Sequence, residues 1–253
     1  MKKTLMILMA LALILPLTAC ATHKNTTSNV KKLTLVQKNQ QQQKWHKKIA
    51  DLPVEHAKGL GNNSSRVPTS MADMKKNSPL VIQGTISNLE TMKNPDNMAY
   101  TKATIYLNKI LAGDQSVQGQ SIYTAMDGGI TSTNSYFRNM NQTREANHDI
   151  LVQFQEYPTP KIGAKIIVGM YLTEEPREMN GQNDYLKAMK ESNFDFAKTY
   201  DLKDVQYGLW VKNPGDKSYH LNNPKALDRL AKEPDQQQAL EKFTAELNQK
   251  YNK

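Results

Sequence analysis

The hydrophobic positions of this chain follow two different periods. Apolar and polar residues alternate in segments rich in β-branched and aromatic side chains, which is typical of β-strands. We expect such strands at 80–89, 100–111, 121–126, 149–155, 164–173, 206–212 and 217–221. No helical period separates the first three, which indicates an antiparallel sheet that closes into a small barrel and hides its edges.

A helical period appears towards both ends of the chain. Residues 33–52 are rich in Gln and Lys, and Trp45, Ile49 and Leu52 form a short apolar stripe that we expect to dock on the same domain. Ser70 is a candidate N-cap of a short helix carrying Met71 and Met74. The final helix is predicted at 234–251, with one apolar face made of Leu240, Phe243, Leu247 and Tyr251.

Two long polar segments interrupt the predicted strands. Residues 131–148 have no apolar period, and residues 174–204 are charged, with a helix predicted around 184–196. Loops of this length are usually functional or disordered. The chain therefore divides into a leader (1–19), a lysine-rich tether and helix (20–69), a β domain (70–225) and a C-terminal amphipathic helix packed on it (226–253).

The leader has the features of a secretory signal peptide. Lys2 and Lys3 precede an apolar run at 5–15, which is too short to span a bilayer. The tetrad Leu17-Thr18-Ala19-Cys20 resembles a bacterial lipobox, and Cys20 is the only cysteine. The resemblance implies diacylglycerol attachment at Cys20 and anchoring to the extracytoplasmic face of the cell membrane. The alternative is a chance cysteine behind an ordinary cleavable signal.

The positive charge is concentrated beside this lipid-attachment site. The chain has a formal net charge of +9, yet residues 51–253 balance 24 basic against 24 acidic residues. Residues 20–50 contain no acidic residue and seven lysines, namely Lys24, Lys31, Lys32, Lys38, Lys44, Lys47 and Lys48. This arm suits contact with anionic headgroups or an anionic envelope polymer, or it is simply a solvated linker. A neutral, exported β domain argues against nucleic acid as a partner.

Several short motifs of the β domain resemble secreted bacterial proteins. They include Lys109-Ile110-Leu111-Ala112-Gly113, Gly119-Gln120, Gly128-Gly129, Pro160-Lys161-Ile162-Gly163 and Tyr207-Gly208-Leu209-Trp210. Such domains are similar to the OB-like barrel of the netrin module and the tissue inhibitors of metalloproteinases. The resemblance covers residues 70–225 and implies a mainly β fold, a small antiparallel OB-like barrel with flanking N- and C-terminal helices. The netrin-type cysteines are absent, so protease inhibition is not carried over.

The residues give little sign of catalysis. None of the five histidines (His23, His46, His56, His148 and His220) has metal-ligand spacing, and no phosphate-cradling glycine motif occurs. We therefore predict no metal, cofactor or catalytic residue. An envelope hydrolase acting on peptide or glycan is the enzyme alternative, with His148 and either Asp149 or Asp127 as acid and base. A solute-binding receptor ranks third, because two α/β lobes are not evident.

The best ligand-binding candidates surround a glycine pair. Gly128 and Gly129 would allow a ligand close to the backbone with Asp127 as an acceptor, although a turn that requires positive φ is the simpler explanation of the pair. Tyr136 lies in the polar segment 131–148, our preferred lip of the site. Aromatic side chains suit sugar or peptide stacking, or else core packing; the candidates are Tyr123, Tyr136, Phe137, Tyr157, Tyr207 and Trp210. The leading hypothesis is a non-enzymatic lipoprotein that binds an envelope glycan, another ligand or a protein.

Overall fold

The computed structural model describes residues 33–57, 66–138, 140, 146–174 and 184–252. The predicted leader, Cys20 and the lysines Lys24, Lys31 and Lys32 lie outside these residues. The lipid anchor and the first part of the basic arm therefore stay predictions.

Seven α-helices and ten β-strands occur in the described residues. The helices are α1 (Leu35–Ile49), α2 (Met71–Asn77), α3 (Thr133–Tyr136), α4 (Asp184–Glu191), α5 (Val205–Gly208), α6 (Ala226–Arg229) and α7 (Pro234–Tyr251). The strands are β1 (Val54–Ala57), β2 (Leu80–Thr91), β3 (Tyr100–Ala112), β4 (Ser121–Asp127), β5 (Gly129–Ser132), β6 (Asp149–Phe154), β7 (Lys165–Leu172), β8 (Tyr200–Leu202), β9 (Leu209–Lys212) and β10 (His220–Leu221).

The larger sheet has seven strands, in the order β10-β9-β7-β2-β3-β4, with β8 also paired to β7. All its strand pairs are antiparallel. The predicted mainly β fold with antiparallel sheet and flanking helices is therefore confirmed. Closure into a barrel is not confirmed, because among the described residues the free edge of β4 is connected only by an isolated parallel bridge from Tyr123 to Thr199, which immediately precedes β8.

A second sheet has three strands in the order β1-β6-β5. Its β1–β6 pair is parallel, and β1 was not among the predicted strands. β5 occupies the start of the segment 131–148, which was expected to be a polar loop. The strand predicted at 206–212 begins only at Leu209, because the preceding residues form α5 after Asp204, whose φ is 50°.

The large sheet is buried on both faces. One face carries Ile82, Ile105 and Ile166, and Trp45 of α1 packs against that cluster. The other face carries Trp210, whose Nε1 donates a hydrogen bond of 2.9 Å to Thr244 of α7 and whose ring contacts Phe243 edge-on. Alternation along each strand sends successive side chains to opposite faces, which produces these two layers.

Hydrogen bonds fix where the flanking helices begin and where α1 docks, and they confirm Ser70 as an N-cap. Thr34 and Gln37 form a capping box at the start of α1, and Ser70 accepts a hydrogen bond from the Asp73 backbone at the start of α2. Gln42 donates a 2.6 Å hydrogen bond to the Ile162 carbonyl, so α1 rests on its own domain. Among the described helices, none is both long and apolar enough to cross a membrane.

Candidate functional site

A cavity of about 280 Å³ lies between the β3–β4 and β7–β8 strand pairs. We call it the Tyr–Asp cavity because its main polar lining residues are tyrosines and aspartates. They are Tyr100, Asp127, Tyr157, Tyr171, Tyr185 and Asp201. The cavity is therefore an aromatic enclosure that contains two carboxyl groups.

Two cross-strand pairs build most of this lining. Tyr100 lies opposite Asp127 in the β3–β4 ladder, and Tyr171 lies opposite Asp201 in the β7–β8 ladder. Directly opposed residues of an antiparallel pair project from the same face, so each ladder delivers one ring and one carboxyl group. Tyr185 of α4 adds a third ring, whose centre is 5.1 Å from that of Tyr100.

The Asp201 carboxylate is held by two hydroxyl groups. Tyr185 donates a hydrogen bond of 3.0 Å to one oxygen, and Thr173 donates one of 2.7 Å to the other. These bonds fix the orientation of Asp201 and tie α4 to the sheet. Burial raises the pKa of the Tyr185 hydroxyl, and the nearby charge of Asp201 raises it further, so Tyr185 stays a donor.

The Asp127 carboxyl group differs from that of Asp201 in its hydrogen bonding. No described residue makes a hydrogen bond or ion pair to it, although its backbone carbonyl accepts a 3.4 Å bond from Thr159. Burial raises its pKa from 3.8 to about 6. Burial, followed by the charges of Asp127 and Asp201, raises the pKa of Tyr100 to about 12. The cavity therefore has a negative electrostatic character without a compensating cation among the described residues.

The glycine pair after Asp127 has a structural role. Gly128 has φ +86°, donates a hydrogen bond to the Ala99 carbonyl and accepts one from Thr101. A Cβ atom at Gly129 would lie 2.5 Å from the Tyr100 carbonyl oxygen. The pair thus makes the sharp passage from β4 of the large sheet to β5 of the small one. It positions Asp127, and a side chain at either glycine would meet a backbone oxygen within 3 Å.

A larger and more apolar cavity lies on the other side of this turn. This α1 groove measures about 480 Å³ and is lined mainly by Trp45, Ile49, Gly129, Leu151, Phe154 and Ile162. The stripe predicted on the N-terminal helix thus faces the groove with Trp45 and Ile49. Thr159 and the prolines Pro158 and Pro160 line both cavities and separate them.

Comparisons with protein-family models, curated proteins and solved structures find no match to this chain. The functional assignment therefore depends on the geometry of these two cavities.

The other predicted ligand residues are dispersed. Tyr136 packs edge-on against Phe137 in a separate cluster with Ala99, Ile150 and Val152, and does not line either cavity. Among the remaining aromatic candidates, Tyr157 lines the Tyr–Asp cavity, whereas Trp210 is in the core. Only Asp127 and Tyr157 of our candidates line this cavity, and the described residues of the segment 131–148, predicted as its lip, do not.

The residues proposed for a hydrolase lie in two places, with His148 and Asp149 together and Asp127 apart from them. His148 precedes β6, and its ring bonds to the Ala146 carbonyl at 2.7 Å, while Asp149 is exposed beside it. Asp149 pairs with Ser132 at one end of the β5–β6 hairpin, whereas Asp127 lies beyond the opposite end, where Gly129 pairs with Val152. In the described parts of the chain, no group of three or more His, Cys, Asp or Glu side chains is placed to hold a metal ion.

Sequence reasoning missed four of the six tyrosines and aspartates that line the cavity: Tyr100, Tyr171, Tyr185 and Asp201. A signal existed for Tyr100, because a β3–β4 hairpin places the start of one strand opposite the end of the other, where Asp127 lies. The Tyr171–Asp201 pair joins strands separated by a charged segment and α4, so local patterning does not reveal it.

Proposed function

We propose that this protein is a lipid-anchored, extracytoplasmic binding module, and that the Tyr–Asp cavity receives its ligand. The module binds a component of the cell envelope and does not transform it. Strands carry four of the six tyrosines and aspartates that line the cavity, which suits recognition by a preformed pocket.

The observation that carries this proposal is the unpartnered Asp127 carboxyl group inside an aromatic cavity. Burying a carboxyl group without a partner costs stability, and such costs concentrate at functional sites. A group of this kind supports a binding role because a ligand supplies the missing partner. The separation of His148 from Asp127 favours binding over hydrolysis.

The anchor is supported by the leader and by the lipobox resemblance at Cys20. Two acyl chains hold a protein on a membrane stably, whereas one gives only reversible binding. Metabolic labelling with a palmitate analogue should mark the wild-type protein and leave Cys20→Ser unlabelled. Label that persists in Cys20→Ser would refute the lipid anchor but would leave the proposed ligand site in the cavity untested.

The basic arm continues into α1, where Lys44 and Lys47 are exposed. We propose that these lysines, with those nearer Cys20, lie against anionic headgroups or an anionic envelope polymer. Replacing them by glutamine should weaken sedimentation with anionic vesicles and leave the melting temperature unchanged. A large drop in the melting temperature would contradict this role.

We also infer that the large sheet curls towards an OB-like barrel. The support is the parallel bridge between Tyr123 and Thr199, which lies where the free edge of β4 approaches β8. In that arrangement the Tyr–Asp cavity lies beside the place where the edges of β4 and β8 meet.

The binding role is tested by photo-cross-linking in intact cells. A photoreactive amino acid at Tyr171, which is 43 % exposed and lines the cavity, should capture an envelope component. The matched control replaces Leu172, its neighbour on the strand, which is 49 % exposed and does not line the cavity. Equal capture at the two positions would contradict a ligand site in the cavity.

A further inference from the structure

We propose that the Tyr–Asp cavity recognises a small organic ammonium group, such as a primary amine or a quaternary ammonium headgroup. The proposal rests on the binding role above and names the chemistry of its ligand. The site is Asp127 and Asp201 with the surrounding rings of Tyr100, Tyr171 and Tyr185.

The charge of the lining selects a cation. Asp127 and Asp201 both face the cavity, and none of its described lining residues is Lys, Arg or His. No ion pair with either carboxyl group occurs among the described residues. A positively charged ligand group therefore supplies the counter-charge that the protein lacks, whereas an anion would be repelled.

The rings select an organic cation over a hydrated inorganic one. Tyrosine rings attract ammonium groups through their negative faces, and several rings around a carboxylate make a typical site for alkylated ammonium. Three of the lining rings come from separate elements, β3, β7 and α4, and two of them, Tyr100 and Tyr185, have centres 5.1 Å apart. The described acidic groups do not offer three ligands to a metal ion.

The two carboxyl groups have different tasks in this site. Asp201 is already held by Tyr185 and Thr173, so it contributes a fixed charge and shapes the wall. Asp127 has no such partner and is free to contact the ligand directly. The volume of about 280 Å³ admits a side-chain-sized group rather than a whole oligosaccharide.

The test is calorimetric titration of the purified protein with matched cationic and neutral probes. Choline is compared with its neutral isostere 3,3-dimethyl-1-butanol, and n-butylamine with 1-butanol. We expect at least one cation to bind with a dissociation constant at or below the millimolar range and its neutral partner not to bind. Asp127→Asn should weaken that affinity roughly tenfold to a hundredfold, because a hydrogen bond or contact to a charged group is lost.

Two further variants keep the result interpretable. Tyr171→Ala removes one partly exposed ring and should also weaken cation binding, whereas Asp149→Asn removes a charge outside the cavity and should not. Preference for choline over n-butylamine would assign a quaternary ammonium, and the reverse preference a primary amine.

Three outcomes would overturn the inference: no binding of either cation, equal binding of the neutral isosteres, or unchanged affinity in Asp127→Asn. The binding role itself is judged separately by cross-linking at Tyr171. Cross-linking at Tyr171 without a preference for cations in the titration would support the binding role and refute the ammonium ligand.

Discussion

Asp127 and Asp201 face the same cavity, but only Asp201 has hydrogen-bond donors. Tyr185 and Thr173 hold both oxygens of Asp201, while the carboxyl group of Asp127 has no partner among the described residues. The protein therefore satisfies one carboxylate and leaves the other for a ligand. This asymmetry separates residues that shape the site from the residue that binds.

The shaping role predicts that Tyr185 contributes to stability through its hydroxyl group. Tyr185→Phe removes the donor to Asp201 and should lower the free energy of unfolding by about 1.5–3 kcal/mol, the usual range for a hydrogen bond to a charged group. Tyr171→Phe is the matched control, because no described residue makes a hydrogen bond to the Tyr171 hydroxyl. It should change the free energy of unfolding by less than about 0.5 kcal/mol. Urea denaturation measures both variants, and equal effects would contradict the assigned roles.

The glycine turn predicts a second difference between matched variants. Gly128 and Gly215 both have positive φ, at +86° and +97°, but only a Cβ atom at Gly128 meets a backbone oxygen, that of Val152 at 2.9 Å. Gly215→Ala should cost about 1–2 kcal/mol from the backbone conformation alone. Gly128→Ala should cost at least about 1 kcal/mol more, because the close approach adds strain. Thermal unfolding of both variants gives the comparison, and a milder effect at Gly128 would refute a structural role for the turn.

The proposed curl of the large sheet is testable with an engineered disulfide. In a Cys20→Ser background, cysteines replacing Tyr123 and Thr199 should form a bond on oxidation, because these residues lie opposite each other in a bridge. The oxidised protein should be more stable than the reduced one by up to about 4 kcal/mol. Each single cysteine variant is the control. Failure to form the bond would show that the two edges lie apart.

Local patterning predicted the elements that carry their own signals. α7 begins at Pro234 and ends at Tyr251 as expected, because its apolar face and N-terminal proline are both readable in the sequence. The central strands β2, β3 and β7 were predicted within one or two residues at each end, since they alternate over many residues.

The elements that were missed depend on distant partners. β1 is four residues long and is stabilised by parallel pairing with β6, about 100 residues away, which no local period encodes. The same reason hides the cavity, because the Tyr171–Asp201 pair exists only after β8 returns to β7. Asp127 was found because a glycine pair follows it, although that pair serves the turn.

The central claim is that Asp127 is retained for a ligand at a cost in stability. Its pKa of about 6 in the folded protein lies above the ordinary 3.8, so the folded state binds the proton more tightly than the unfolded state does. Wild-type stability should therefore decrease as the pH rises from about 4 through 6, by no more than about 3 kcal/mol from this group. The Asp127→Asn variant has no ionisable group at this position, so its free energy of unfolding should not show this decrease.

The most direct test measures the unfolding free energy of wild type and Asp127→Asn between pH 4 and pH 8, together with cation affinity at pH 8. We predict that the variant gains stability over wild type as the pH rises, and that it binds the ammonium probe more weakly. Asp149→Asn should show neither effect. A variant that is less stable than wild type at pH 8, or that keeps its affinity, would contradict the account.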